Sequence, residues 1–410
     1  MLNDGQREAP AGERDPIEII VRQVPKHIWV CLGAVAVMLF LGVAFTKGVP
    51  SRADTGGAAG VTNETLQGRV AAIQPPAMPV SSTDPGTARV LVDITSGSQQ
   101  GRRVQIHPTG GTTGLVGDTP VQVGDKVLVE YSTGGPQGDQ YAISDFVRLP
   151  QLLIIALIFA AATIAVGRWV GLRALISVGI SILAIFGCIL PGISAGRDPL
   201  MVCLAGSLLL MIASLYLIYQ WQWKTHAAAF SIGITLIVSA LLSFAFANMS
   251  HLTGFSSDET AMVSQMARVH INMPGLLMGG VLVGAAGVLG DVAVTQTSAV
   301  FELKQANAGL NWRELFRHAM AIGRDHISSM INTLLLAYAS ASLPLILLLA
   351  MQNPSFTETL NREFIAEEVV RTLVGSLGLI VAVPLASLIA SLIAARHGRV
   401  GQILPAPARE

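Results

Sequence analysis

Apolar positions along the chain follow two patterns. Eight stretches are continuously apolar with few charges: 28–46, 150–168, 171–190, 199–219, 226–248, 274–297, 327–351 and 371–395. Each is near the ~20 residues that a helix needs to cross a ~30 Å hydrocarbon core. Between the first and second stretch the pattern changes. Ser51 to Gly60 is a linker of small residues. After it, short β-branched runs alternate with turn residues: Leu66–Ile73, Ala88–Ile94, Arg102–His107, Lys126–Tyr131 and Gln140–Val147. RVLVDI and KVLVEY show the two-residue period of half-buried strands. Gly124-Asp125 between VQV and KVLVEY predicts a hairpin. The predicted fold is an α-helical polytopic membrane protein of about eight transmembrane helices, with a small extracytoplasmic all-β, OB-like barrel domain.

This gives five segments: 1–27, a cytoplasmic N-terminal segment; 28–46, a transmembrane anchor; 47–149, the β domain; 150–396, a seven-helix membrane domain; and 397–410, a cytoplasmic tail. No A-x-A site follows the first apolar stretch, and 27 residues precede it, which predicts a retained anchor over a cleaved signal.

Composition supports the membrane class. Of 410 residues, 51% are hydrophobic and 13% charged, against about 25% charged in ordinary domains. Formal net charge is zero, and the β domain offers only Tyr131, Tyr141 and Phe146 as aromatics. That is too few for a base-stacking platform, so nucleic acid is not an expected partner. Cys31, Cys188 and Cys203 all lie in apolar stretches, so no disulfide framework is expected. Orientation follows from Lys and Arg in the short connections. With Arg22 and Lys26 inside, Arg168, Arg173, Lys224, Lys304, Arg313, Arg317, Arg324, Arg396 and Arg399 also fall inside. Arg197, Arg268 and Arg362 fall outside, in connections that also hold Asp198, Asp258, Glu259, Glu358, Glu363, Glu367 and Glu368. Both termini are therefore expected in the cytoplasm.

Chemistry concentrates in the sixth stretch, where Asp291 interrupts a glycine-rich apolar run starting at Pro274. A charge at mid-span costs about 2.5–3.5 kcal/mol on insertion scales and ordinarily faces protein, water or a partner. Asp291 stands roughly 26 Å along from Pro274 at ~1.5 Å per residue. Gly279, Gly280, Gly284, Gly287 and Gly290 have the spacing of helix-packing glycines. Asp291, Thr295, Ser298 and Glu302 share one helical face, with Gln296 and Thr297 flanking it. In the seventh stretch Asp325, Ser329 and Asn332 recur on one face, beside Arg324, His326 and Ser328. Antiparallel packing of the two stretches would bring these groups to one depth. The expected site is a proton, cation or substrate pathway, with Asp291 the buried titrating group, His326 and Asp325 a relay and Asn332 a neutral ligand. The competing structural role is ordinary pairing of Arg324 with a carboxylate.

Asn311-Trp312-Arg313-Glu314 matches a capping box, and Trp312, Leu315, Phe316 and Ala319 fall on one side of an amphipathic surface helix. Pro191, Pro344 and Pro384 mark helix kinks or ends. Trp221 and Trp223 beside Lys224 read as an interfacial anchor. His251 and His270 share a connection with Asp258 and Glu259 without metal-site spacing. There is no P-loop, H-E-x-x-H or G-x-S-x-G, so no catalytic residue, metal or cofactor is expected.

GDVAVTQTSAVFEL (Gly290–Leu303) and ELFRHAMAIGRDHISSMINTLLLAYASASLPLILL (Glu314–Leu348) resemble the YibE/F-like family of multi-pass bacterial membrane proteins. The resemblance covers spans two to eight. The anchor and outer β domain also resemble the family's longer members. It implies residence in the bacterial cytoplasmic membrane and a permease-like role. The positions matching its motif are Gly290, Asp291, Ser298, Glu302, Gly323, Arg324, Asp325, His326 and Asn332. The leading expectation is thus a non-enzymatic secondary transporter, coupled to a proton or cation through Asp291. Its expected partners are the lipid bilayer, an ion or small-molecule substrate, and a homo-oligomer or envelope partner. One alternative is a scaffold whose β domain docks an envelope protein. A distant third is an intramembrane aspartyl hydrolase using Asp291 and Asp325.

Overall fold

The computed structural model describes residues 62–74, 89–106, 115–116, 119–135, 138–267, 269–352 and 355–396. The expected anchor at 28–46 and its flanks, with Arg22, Lys26 and Cys31, lie outside the described residues, as do His107, Arg268 and the tail after Arg396. The chain divides into two units, one of them residues 50–165.

The first unit is built on β1 (Thr62–Gln74), β2 (Arg89–Ser96), β3 (Arg103–Ile106), β6 (Lys126–Gly135) and β7 (Gly138–Phe146). They form one antiparallel sheet in the order β3-β2-β1-β6-β7. Two short strands, β4 (Leu115–Val116) and β5 (Thr119–Pro120), pair as a separate ribbon. Alternation does what it predicts: Val90, Val92 and Ile94 of β2 and Val127, Val129 and Tyr131 of β6 are buried in one core with Leu66 and Val70. β1 is long enough to pair with β2 through Gln67–Gln74 and with β6 through Thr62–Arg69. Register shifts at Gln67/Gly68 and Val70/Ala72 bend it. A Cβ at Gly68 would collide with Val92, so glycine permits the close crossing. Where an OB-like barrel was expected the sheet is a half-barrel: β3 has only four residues, and no ladder joins it to β7 among the described residues. The hairpin expected at Gly124-Asp125 is also corrected. Gly124, at φ +100°, makes a turn in which the Asp125 carboxylate accepts from the Gln122 N–H at 2.8 Å. The partners of β6 are β1 and β7 instead.

The helices are α1 (Leu149–Ala184), a π-turn (Ile185–Ile189), α2 (Leu190–Ser194), α3 (Pro199–Tyr219), α4 (Trp223–Met249), α5 (Asp258–Met266), α6 (Met273–Ala306), α7 (Trp312–Ala341), α8 (Leu343–Met351), α9 (Phe356–Asn361) and α10 (Glu363–Arg396). Among the described residues five helical segments are long and apolar enough to cross a membrane, or six if the bent pair α7–α8 is one span. Two expected spans, 150–168 and 171–190, form one run of 46 residues, Leu149–Ser194, interrupted by non-helical dihedrals at Arg168 (φ 50°, ψ −128°). At ~1.5 Å per residue this run is roughly twice the length needed for one crossing. The surface helix expected at 312–319 and the start of the seventh stretch are one continuous α7. Leu315 and Ala319 are fully buried in protein, so the helix does not lie on a membrane surface by that face. Its N-terminus is the predicted capping box. Pro344 opens α8 after a 65° bend, whereas Pro384 sits inside an unbroken α10.

The helical core is made where α3, α4, α6, α7 and α10 meet, with Ile232, Leu236, Leu289, Leu379 and Val383 fully enclosed. At one end Asn272, before α6, reaches Asp198, before α3, and the loop after α4 meets the start of α10. At the other end Phe301, Leu315, Ala319 and Ala394 pack together. Successive long helices therefore alternate in direction.

Candidate functional site

The sixth helix has two faces of opposite character. On the covered face, a Cβ at Gly279 would stand 2.7 Å from Cys203 Sγ, and one at Gly290 would stand 2.9 Å from Met211 Sδ. These glycines pack against α3. On the other face Gly280, Gly284, Gly287, Asp291, Thr295 and Glu302 are exposed, and Ser298 is half-buried. A Cβ would meet nothing within 4 Å at Gly280 or Gly287, and only the Tyr338 hydroxyl, at 3.6 Å, at Gly284. So of the five glycines expected to pack, these three instead line an uncovered face.

Asp291 is placed accordingly. It is exposed, not enclosed among helices as expected. Leu289, Val292, Ala293 and Gln296 take the inward arc of that turn, leaving Asp291 on the outer one. Tyr219 of α3 and His326 of α7 stand within electrostatic range of its carboxylate. Thr295 donates its hydroxyl back to the Asp291 carbonyl at 2.7 Å. Ser298 faces a small hollow with Tyr219, Lys224 and Thr225.

On α7 the covered face is Leu315, Ala319, Gly323 and Leu334, with Ile327 and Met330 against the core. His326 borders that face; it is half-buried, and its enclosed Nε2 has no hydrogen-bond partner. Arg324, Asp325, Ser329 and Asn332 fall on the other arcs and are exposed. Among the described residues none of these four makes a hydrogen bond or ion pair with α6. The expected convergence thus reduces to Asp291 and His326. His326 is the group of α7 that stands near Asp291, while Asp325 is exposed on another arc.

Two polar sites were not anticipated. The first is a knot where α6, α7 and α10 cross. Gln296 is fully buried, its Oε1 accepts from the Ser387 hydroxyl at 3.1 Å, and its Nε2 has no partner. Gly323 makes the crossing possible, since a Cβ there would collide with Val383 and lie 3.1 Å from Gln296 Oε1. The second is a cleft of about 310 Å³ at the opposite end of the bundle, bounded by the start of α6, the start of α10 and the α4–α5 loop. Gly280 borders this cleft, so the uncovered face of α6 begins there. Glu363 secures the loop by accepting from the Thr253 N–H and hydroxyl and from the Gly254 N–H. Glu367 accepts from the Ser256 hydroxyl at 2.6 Å, and Arg371 donates to Glu368 at 2.6 Å.

A model of the YibE/F-like protein family matches residues 155–396. The chain belongs to the YibE/F-like family. The match runs from α1 to the end of α10 and contains the open face of α6, the Gln296 knot and the cleft. The half-barrel lies outside it. No curated protein and no solved structure matches the chain. Family membership and the long apolar helices together point to a membrane protein.

In the sequence, the cleft's acids look like solvated loop charges. One signal was present: Glu363, Glu367 and Arg371 recur at four-residue intervals, which aligns them on one face of a helix start.

Proposed function

We propose that this chain is a permease-type secondary transporter of the bacterial cytoplasmic membrane, coupled to a proton or cation through Asp291. One observation carries the reading: an uncovered stripe on α6, Gly280, Gly284, Gly287, Asp291, Thr295 and Ser298, begins at a polar cleft and leads to a carboxylate. A bare carboxylate facing hydrocarbon is costly, so an aqueous path beside it is the favourable environment. Glycines without packing neighbours leave room for such a path. Asp291 would carry the coupling charge, with His326 and Tyr219 modulating it. Both halves of the Leu149–Ser194 run cross the membrane in this reading, and the charge pattern puts the termini inside and the half-barrel outside.

The test is accessibility. In a cysteine-free background, Gly287→Cys and Thr295→Cys should react with a membrane-impermeant thiol reagent, while Leu241→Cys, exposed on α4, should not. Unreactive thiols at both α6 positions would refute an aqueous path. Given a path, Asp291→Asn in proteoliposomes should abolish coupling; undiminished coupled flux would remove Asp291 from the mechanism.

A further inference from the structure

The uncovered stripe on α6 is clear at Gly280 and Gly287 but narrowed between them. At Gly284 the Tyr338 hydroxyl of α7 stands 3.6 Å from where a Cβ would be, and at Gly375 of α10 the same hydroxyl stands 3.9 Å away. The phenol tip thus lies between two glycines on two helices. Each distance is ordinary van der Waals contact, so one methyl group added on either helix would touch the hydroxyl. The clear width on each side is that of a methyl group, too narrow for a hydrated ion. Gly280 and Arg371 line the cleft one helical turn before Gly284 and Gly375. Arg371 and Glu368 also stand within electrostatic range of the phenol. Tyr338 is therefore at the floor of the cleft, and Asp291 is about 10 Å beyond that level along α6.

Tyr338 is also placed to move. Ile327, Met330 and Ile331 hold the middle of α7 against the core. Tyr338 is instead in the last turn, half-buried, with Leu335, Leu336 and Ala337 exposed before it. The helix ends at Ala341, and the chain bends by 65° into α8 with Pro344 in its first turn. Proline there removes an N–H that would otherwise bond back across the bend. Leu345, just past the bend, lines the cleft, so one bend carries both a cleft wall and the phenol. Among the described residues the Tyr338 hydroxyl makes no hydrogen bond, so swinging it aside breaks none. A charged species stopped at the phenol has no detour, because the alternative route is hydrocarbon.

We propose that Tyr338 is the constriction of this path: its phenol closes the way from the cleft to Asp291, and its swing at the α7–α8 bend opens it. The inference rests on the aqueous path proposed above and adds the residue that controls it. A hydroxyl at the narrowest point also offers a passing cation one oxygen in place of part of its water shell. The size of what passes is then set by Gly284, Gly375 and Tyr338, not by the wider cleft.

The experiment is the rate of thiol modification of the full-length chain in spheroplasts, from the cleft side of the membrane and in a cysteine-free background. The probe is a membrane-impermeant trimethylammonium methanethiosulfonate. Gly280→Cys reports on the cleft and Gly287→Cys on the path beyond the phenol; a Cβ meets nothing within 4 Å at either position. Gly280→Cys should react fast, at the same rate with or without Tyr338→Ala. Gly287→Cys should react slowly and gain about tenfold or more from Tyr338→Ala, as expected when an open state populated at about 10% or less becomes the main one. Gly284→Ala, which brings a methyl group against the hydroxyl, should slow Gly287→Cys further; faster labelling would overturn the assignment. An unchanged Gly287→Cys rate in Tyr338→Ala would overturn the constriction and leave the path standing. Equal acceleration at both thiols would report a loosened fold and overturn it as well. No reaction at Gly287→Cys in either background, with Gly280→Cys reactive, would remove the path and the constriction together.

Discussion

The same substitution at two points of α6 should have opposite effects, because one side of the helix is covered and the other is not. At Gly279 an added Cβ would stand 2.7 Å from Cys203 Sγ and 3.1 Å from both Cys203 Cβ and the Pro199 carbonyl oxygen. Ordinary contact begins near 3.4 Å, so α3 must shift by several tenths of an ångström. One obstacle is backbone, which cannot rotate away. Overpacking of this kind costs about 1–3 kcal/mol, and the helix-propensity gain of alanine over glycine, about 1 kcal/mol, offsets part of it. Gly279→Ala should therefore destabilise by up to about 2 kcal/mol. At Gly287 nothing lies within 4 Å, so Gly287→Ala keeps the propensity gain and should be neutral or stabilising by up to about 1 kcal/mol. Equilibrium unfolding of the purified chain, followed by far-UV circular dichroism, reads both. A Gly287→Ala variant destabilised as much as Gly279→Ala would refute the reasoning, and would mean that another surface, such as a second copy of the chain, is seated on the open face.

Two further outcomes follow from particular contacts. Ser387→Ala removes the donor to Gln296 Oε1, leaving both ends of the buried amide without a partner, and should cost about 1–3 kcal/mol, whereas Gln296→Met, which removes the orphaned Nε2 along with the amide oxygen, should cost less in unfolding; the reverse ranking would disprove the knot. In the half-barrel, the Ser98 hydroxyl and N–H hold the Glu64 carboxyl below its ordinary 4.5, and the Arg103 guanidinium holds Asp93 below 3.8. Because both are depressed on folding, their contribution is present above those ordinary values and is lost as pH falls through the lowered ones. Amide protection in β1 and β2, corrected for intrinsic exchange, should fall below about pH 4.5 in the parent and less steeply in a Glu64→Gln, Asp93→Asn double variant; identical pH profiles would refute the assignment.

Local signals were legible wherever a pattern depends on neighbouring residues alone. The capping box at Asn311 and the extent of α3, Pro199–Tyr219, follow from spacing and apolar run length, and the five main strands follow from two-residue alternation. What sequence could not convey was which face meets protein. Glycines at three- and four-residue intervals look alike whether a helix covers them, as at Gly279, or nothing does, as at Gly287. Asp291 suffered from the same ambiguity: an intramembrane acid can face inward or along an open groove. The cleft was hidden for another reason, since Ser256 and Glu367 are 111 residues apart and only folding joins them.

The π-turn at Ile185–Ile189 keeps one side of that segment against α3 throughout. Ser177 bonds Ser214, Ala184 packs with Leu210 and Ala213, and Ile189 fits over Gly206. In a regular helix, at roughly 100° per residue, Ile189 would point about 120° away from Ser177; the wider turn absorbs one residue and winds it back by about 100°. Removing one residue from this turn would restore an ordinary helix with both flanks still seated on α3, while adding one would swing Ile189 and Ile193 outward. Chain length here is buffered in a single direction, and paired deletion and insertion variants compared by thermal unfolding would expose that asymmetry.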